Sequence, residues 1–84
     1  MSTSAQQPSL QSPDDLVPVA QYAERRKHLF PGTESIRWFM RNHRDDLVES
    51  GAVLMIAGRW FANPQAFDRA VIDAGQRAAR RSAR

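Results

Sequence analysis

Arginines at helical spacing are the residues of this chain whose chemistry is most specific. Arg37 and Arg41 stand four positions apart, so one face of a helix would present both guanidinium groups. A guanidinium fork can donate two hydrogen bonds to O6 and N7 of guanine, or to a phosphate. The spacing therefore predicts a helix face that contacts nucleic acid. Surface ion pairs from Arg37 to Glu34 and from Arg41 to Asp45 are the alternative use of these arginines.

Basic residues also cluster elsewhere, although the formal net charge is only +3. No acidic residue follows Asp73, so the arginine-rich end of the chain is uninterrupted. Such clusters favour an acidic partner, most often nucleic acid, whereas a solvated surface and tail would need no partner. The clusters are Arg25, Arg26 and Lys27, then Arg37, Arg41 and Arg44, and finally Arg77, Arg80, Arg81 and Arg84.

The length of 84 residues permits one domain at most. Residues 1–15 are rich in Ser, Gln and Pro and have few large apolar side chains, which predicts a disordered N-terminal arm. The remainder is close to the lower size limit of a domain that is stabilised by its core alone. We therefore do not expect an enzyme with a deep substrate pocket.

The composition also argues against several kinds of site. Cysteine is absent, which removes disulfides, thiolate zinc sites and thiol nucleophiles. His28 and His43 are too far apart for a recognisable metal motif, and no nucleophile motif is present. We expect no catalytic residue, no metal site and no cofactor. No apolar stretch resembles a signal peptide or a membrane span, so we expect a cytoplasmic protein without membrane contact.

Two helices are predicted in the first half of the chain. The first covers about residues 18–28, where Pro18 is acceptable in the first turn. A break at residues 29–32 precedes a second helix over about 34–49, with Thr33 as its N-cap. The expected apolar faces are Val19, Ala20 and Ala23, with Tyr22 left open, and then Ile36, Phe39, Met40 and Leu47.

A β-hairpin and a third helix are predicted in the second half. Residues 53–56 and 60–62 are β-prone, and Gly58 between them can supply the positive φ of a tight turn. Asn63 and Pro64 are typical N-cap and first residues of a helix. This helix extends to at least residue 74 and is expected to fray at Gly75. Its apolar face consists of Phe67, Ala70, Val71 and Ala74.

The predicted fold is mostly α with a small β-hairpin, in the order helix, turn, helix, hairpin, helix. This order is typical of winged helix-turn-helix modules, in which the second helix enters the major groove of DNA. We expect such a domain at residues 16–75, followed by a basic tail at 76–84. Arg59 at the hairpin tip would contact a phosphate or enter a minor groove. The expected DNA-binding residues are Thr33, Glu34, Ser35, Arg37, Trp38, Arg41, Arg44, Arg59, Arg77, Arg80 and Arg81.

The two tryptophans have competing interpretations. Trp38 could lie against a DNA sugar or phosphate, but its position beside Phe39 slightly favours the core. Trp60 belongs to a hairpin strand and is expected to pack against the second or third helix.

Four sequence blocks resemble the small excisionase-like proteins of prophages and integrative elements. These proteins are related in design to the DNA-binding domains of MerR-type regulators. The resemblance covers about residues 16–72, although the acidic stretch at 44–49 is longer than in the shortest family members. The blocks are Val17-Pro-Val-Ala-Gln-Tyr-Ala23, Thr33-Glu-Ser-Ile-Arg-Trp-Phe39, Ser50-Gly-Ala52 and Gly58-Arg-Trp-Phe-Ala-Asn-Pro64, continuing to Phe67.

The resemblance implies a recombination directionality factor without catalytic activity. Such a protein binds repeated sites on double-stranded DNA, associates side by side with further copies and bends the DNA. It thereby helps a tyrosine-type integrase to excise the element, and its location would be the bacterial nucleoid. Two alternatives stay open: a stand-alone transcriptional regulator of a mobile element, and a small inhibitor that binds an acidic surface of a host protein.

Overall fold

The computed structural model describes residues 13–83 and is mostly helical, with a small antiparallel sheet. Residues 1–12, which hold most of the expected disordered arm, and Arg84 lie outside the described residues. In chain order, a 3₁₀ turn at Pro13–Asp15 is followed by β1 (Val17–Pro18), α1 (Val19–Arg25), α2 (Thr33–Asn42), α3 (Arg44–Glu49), β2 (Val53–Ile56), β3 (Arg59–Ala62) and α4 (Pro64–Ser82).

The prediction of one long second helix is wrong, because the chain leaves helical geometry at His43. This residue has φ −129° and ψ 25°, and it separates α2 from α3. Asn42 and His43 at the break have low helix propensity. The break also places Asp45 and Asp46 in the first turn of a new helix, where negative charge complements the helix dipole.

The start of α2 also differs from the sequence prediction. Thr33 is the first helical residue, and Gly32 occupies the N-cap position with an extended backbone. The hydroxyl of Ser35 donates to the carbonyl of Gly32 at 2.7 Å and accepts from the Gly32 N–H at 3.3 Å. The side chain that makes hydrogen bonds at this helix start is therefore Ser35 and not the predicted Thr33.

The sheet has three strands in the order β1-β3-β2. The first strand differs from the sequence prediction, which begins the first helix at about residue 18. Val17 pairs with Ala62 and Pro18 with Phe61. Proline is tolerated here because β1 is an edge strand. The added strand joins the N-terminal end of the described chain to the hairpin.

The hairpin turn contains two residues rather than three, and Arg59 is already the first residue of β3. Ala57 has φ 52° and Gly58 has φ 76°. Positive φ at both positions is what a type I′ turn requires, and this turn matches the natural twist of the two strands. Ile56 consequently pairs with Arg59 at the end of the ladder.

Four aromatic rings form the centre of the core. The ring centroid of Phe67 lies 4.4 Å from that of Tyr22, 5.9 Å from Phe39 and 6.4 Å from Phe30. All four side chains are buried, so Tyr22 belongs to the apolar face of α1. Ala20 does not, because it is exposed. The sequence predicts only a helix break at Phe30, but the side chain is buried in the core.

A polar cluster at the edge of this core ties α1 to α4. The hydroxyl of Tyr22 donates to Oδ1 of Asp68 at 2.6 Å. Arg26 donates to both carboxylate oxygens of Asp68, at 3.0 and 2.7 Å. Hydrogen bonds from Arg26 hold the pKa of Asp68 below its ordinary value of 3.8. Burial, and then the bond to Asp68, raises the pKa of Tyr22 well above 10.0.

Helix α4 continues through Gly75 without fraying and ends at Ser82. At its start, Asn63 accepts a hydrogen bond from the N–H of Ala66 at 3.2 Å, as predicted for an N-cap. Ala74 is the last buried residue of the helix, and the described residues after it are all exposed. Within residues 13–83, no helix combines the length and the apolar character needed to cross a membrane.

Removal of the Tyr22 hydroxyl should destabilise the fold. We expect Tyr22→Phe to lower the free energy of unfolding by about 1.5–3 kcal/mol, because the lost bond goes to a charged acceptor. The measurement is urea denaturation followed by circular dichroism.

Because the pKa of Asp68 is lowered, its contribution to stability is present above pH 3.8 and is lost as the pH falls through the lowered value. The difference between the two proteins should therefore shrink in acid.

The matched control for this pair is the Asp68→Asn background. There the hydroxyl faces a neutral acceptor, and Tyr22→Phe should cost clearly less. An equal cost in both backgrounds would show that the charge of the carboxylate adds nothing to this hydrogen bond.

Two glycines allow the effect of backbone conformation on stability to be compared, because a methyl group would fit at both positions. An added Cβ at Gly58 or at Gly75 would meet nothing within 4 Å. Gly58→Ala should lower the free energy of unfolding by about 1 kcal/mol, because its φ of 76° is unfavourable for alanine. Gly75→Ala should raise it by about 0.5–1 kcal/mol, because the site is helical. Thermal unfolding measures both, and a shift of the same sign in the two variants would contradict this account.

Candidate nucleic-acid interface

The outward face of α2 carries exposed basic and aromatic side chains. Ile36 and Phe39 are 1% and 9% exposed and hold the opposite face of the helix against the core. The helical period then leaves Arg37, Trp38 and Arg41 exposed. The apolar residues of α2 thereby fix where the two arginines point.

The arginines of this face are not used in the ion pairs that the sequence offered as an alternative. Within residues 13–83, no ion pair joins Arg37 to Glu34 or Arg41 to Asp45. Both guanidinium groups thus have exposed donors available to a ligand. Two forks one helical turn apart suit a partner with regularly spaced acceptors, such as a duplex.

In the first turn of α2, two side chains are exposed and a third is hydrogen-bonded to the backbone. Thr33 and Glu34 are exposed. Ser35 is half-buried, and its hydroxyl both donates to and accepts from the backbone of Gly32. A DNA contact by Ser35 would therefore compete with bonds that begin the helix.

Trp38 does not belong to the core, and that prediction is wrong. It is 59% exposed, although the adjacent Phe39 is buried. Neighbouring helical positions point about 100° apart, so one aromatic can be inside and the next outside. Trp60 is half-buried and packs against the core cluster, in line with the prediction that it is a packing residue.

Arg41 and Arg44 lie at the junction of α2 and α3. Both line one shallow surface depression, together with Asn42, His43, Asp45 and Asp46. The ring of His43 packs on Phe39 with a centroid distance of 4.4 Å. The break between the helices therefore produces a site of mixed charge, in which carboxylates stand beside the arginines.

The hairpin contributes one cation. Arg59 is exposed, and its guanidinium carbon lies 5.8 Å from the ring centroid of Phe61. Met55 and Ile56 on the paired strand are also exposed, at 52% and 42%. The hairpin thus presents an arginine that can donate to a phosphate, beside exposed apolar side chains.

The predicted basic tail is the C-terminal end of α4. Arg77, Arg80 and Arg81 are exposed and stand at helical spacing. Nη2 of Arg77 lies 3.6 Å from Oδ2 of Asp46 on α3. Arg80 and Arg81 form no ion pair with another described residue. The helix gives these cations a defined spacing that a disordered tail would lack.

Between α3 and α4 lies a groove of about 410 Å³. Leu47, Ala66 and Ala70 are among its apolar lining residues. Asp46 and Arg77 also line it, and their ion pair links the two helices.

In the first basic cluster, Arg26 has a structural role. Arg26 is bound to Asp68, and Lys27 forms an exposed pair with Glu24 at 3.4 Å. Arg25 is exposed. Sequence reasoning missed the role of Arg26, because its partner lies 42 residues away and no local spacing announces it.

Comparisons with known proteins do not identify this arrangement. No family model matches the chain, and neither the curated proteins nor the solved structures include a significant match. The resemblance to excisionase-like proteins is therefore an interpretation of the sequence blocks alone.

The two tryptophans provide a test of the site geometry. Trp38→Ala should change the free energy of unfolding by less than about 0.5 kcal/mol, because the side chain is largely exposed. Trp60→Ala should lower it by about 1–3 kcal/mol, because a half-buried ring packs on the core. Urea unfolding of each variant measures the difference. A larger loss for Trp38→Ala would mean that this ring is not part of a free surface.

Proposed function

We propose that this protein binds double-stranded DNA sequence-specifically through α2, as a winged helix-turn-helix module. The observation that carries the proposal is the exposed trio of Arg37, Trp38 and Arg41 on a helix whose other face is anchored in the core. Anchoring matters because base recognition needs side chains held at fixed positions. No ion pair within residues 13–83 occupies Arg37 or Arg41.

The dimensions of α2 suit the major groove. The helix has 10 residues, which corresponds to a length of about 15 Å. The groove is about 12 Å wide and admits one α-helix. The Cα atoms of Arg37 and Arg41 are separated by about 6 Å along the helix axis, close to two base-pair steps. Each fork can then address a guanine on neighbouring or next-neighbouring pairs, and Trp38 can pack on a sugar or a thymine methyl.

The remaining cations would supply phosphate contacts. In this proposal, Arg59 on the hairpin acts as the wing contact, and Arg80 and Arg81 on α4 bind the backbone. Phosphate contacts orient a protein on DNA and contribute affinity that is independent of sequence. Thr33 and Glu34, at the exposed start of α2, would lie near bases or phosphate.

Within this DNA-binding role, we propose an excisionase that bends DNA and acts with a tyrosine-type integrase. Its support is the resemblance of the sequence blocks, together with the small size of the module. A single small module contacts few base pairs, so useful specificity requires several copies side by side on repeated sites. Distributed phosphate contacts can also offset the elastic cost of bending, on the order of 1–6 kcal/mol.

Substitution of Arg37 tests base recognition. A duplex selected from a random pool by wild-type protein is compared with a random duplex by fluorescence anisotropy. Arg37→Ala should reduce the preference for the selected duplex by about 1–3 kcal/mol, because a bidentate base contact is lost. Binding to the random duplex should persist and remain sensitive to salt.

The matched control is Arg25→Ala, which removes an exposed arginine from α1 and should leave the preference unchanged. Equal affinity of the wild type for selected and random duplexes would falsify sequence-specific binding.

Excision is scored separately, in cells that carry the integrase. Unchanged excision after deletion of the gene would rule out the excisionase role and leave transcriptional regulation.

A further inference from the structure

Asp46 pairs with one arginine and shares a surface depression with two others. It lines the shallow depression that contains Arg41 of α2 and Arg44 of α3. On its other side it lines the α3–α4 groove, where it pairs with Arg77 at 3.6 Å. One exposed carboxylate therefore pairs with Arg77, on the basic end of α4 whose Arg80 and Arg81 the proposed function assigns to phosphate.

This position makes Asp46 a competitor of DNA phosphate. The side chains of Arg77 and Asp46 are 51% and 66% exposed, so the pair is accessible to a ligand. Exposed pairs are weak, and a phosphate can displace the carboxylate at modest cost. Because like charges repel, the same carboxylate also opposes a phosphate that approaches Arg44 in the shared depression.

We propose that Asp46 limits the affinity of the protein for DNA of any sequence. This inference rests on the proposed DNA-binding function. Asp46 acts on phosphate contacts and not on the base contacts of Arg37. Its effect is therefore the same on selected and on random duplexes. Because Asp46 weakens the phosphate contribution, base contacts supply a larger share of the affinity than they would without this carboxylate.

The test is Asp46→Asn in the full chain, with anisotropy titrations of a selected and a random duplex at several salt concentrations. The variant should bind both duplexes roughly two- to fivefold more tightly, as expected from the loss of an exposed charge pair. The plot of log affinity against log salt should steepen by about 0.9, because Arg77 gains a phosphate contact.

Asp73→Asn is the matched control. Asp73 lines the same groove, is exposed and forms no ion pair with another described residue. It changes the net charge equally, but it should leave the salt slope unchanged. In an Arg77→Ala background, Asp46→Asn should no longer steepen the slope.

The outcomes separate this inference from the proposed function. Normal binding by the wild type, with the same affinity and slope in Asp46→Asn, would overturn the inference alone. An equal effect of Asp73→Asn would also overturn it, because the change in net charge would then explain the tighter binding. Failure of every variant, including the wild type, to bind either duplex would overturn the proposed function and this inference together.

Discussion

The packing of three other aromatic rings around Phe67 is the interaction on which the rest of this small structure depends. Phe67 on α4 meets Tyr22 from α1, Phe39 from α2 and Phe30 from the loop between them. A domain of this size has too few residues for a second core, so each helix can bury only one face. The outward faces, with their arginines, follow from that limit.

The polar cluster around Asp68 adds direction to this packing. Hydrophobic burial is not directional, whereas a carboxylate that accepts from Tyr22 and twice from Arg26 fixes how α1 lies on α4. Tyr22 belongs to both clusters. Its ring packs in the core, and its hydroxyl bonds to Asp68 on α4. Orientation of α4 also decides where its projecting basic end lies, and thus that Arg77 reaches α3.

Mixed charge is the notable property of the surface that results. The break at His43 converts an acidic stretch into a short helix beside the basic face of α2. A purely basic surface would bind any polyanion, and adjacent carboxylates moderate that attraction. The proposed base contacts at Arg37 and the proposed limit on phosphate affinity at Asp46 therefore act on different parts of the same DNA-binding equilibrium.

Local signals in the sequence determined the helix period of α2, the Asn63-Pro64 start of α4 and the glycine in the hairpin turn. Each depends on residues within a few positions of one another. Tertiary structure alone decided the rest. The short strand β1 exists because β3 offers it partners, Phe30 is buried because other rings surround it, and Arg26 is structural because Asp68 lies opposite. Trp38 is exposed because Phe39 is the residue whose ring packs on Phe30 and Phe67. These outcomes depend on residues distant in the chain, whose pairing local patterns do not encode.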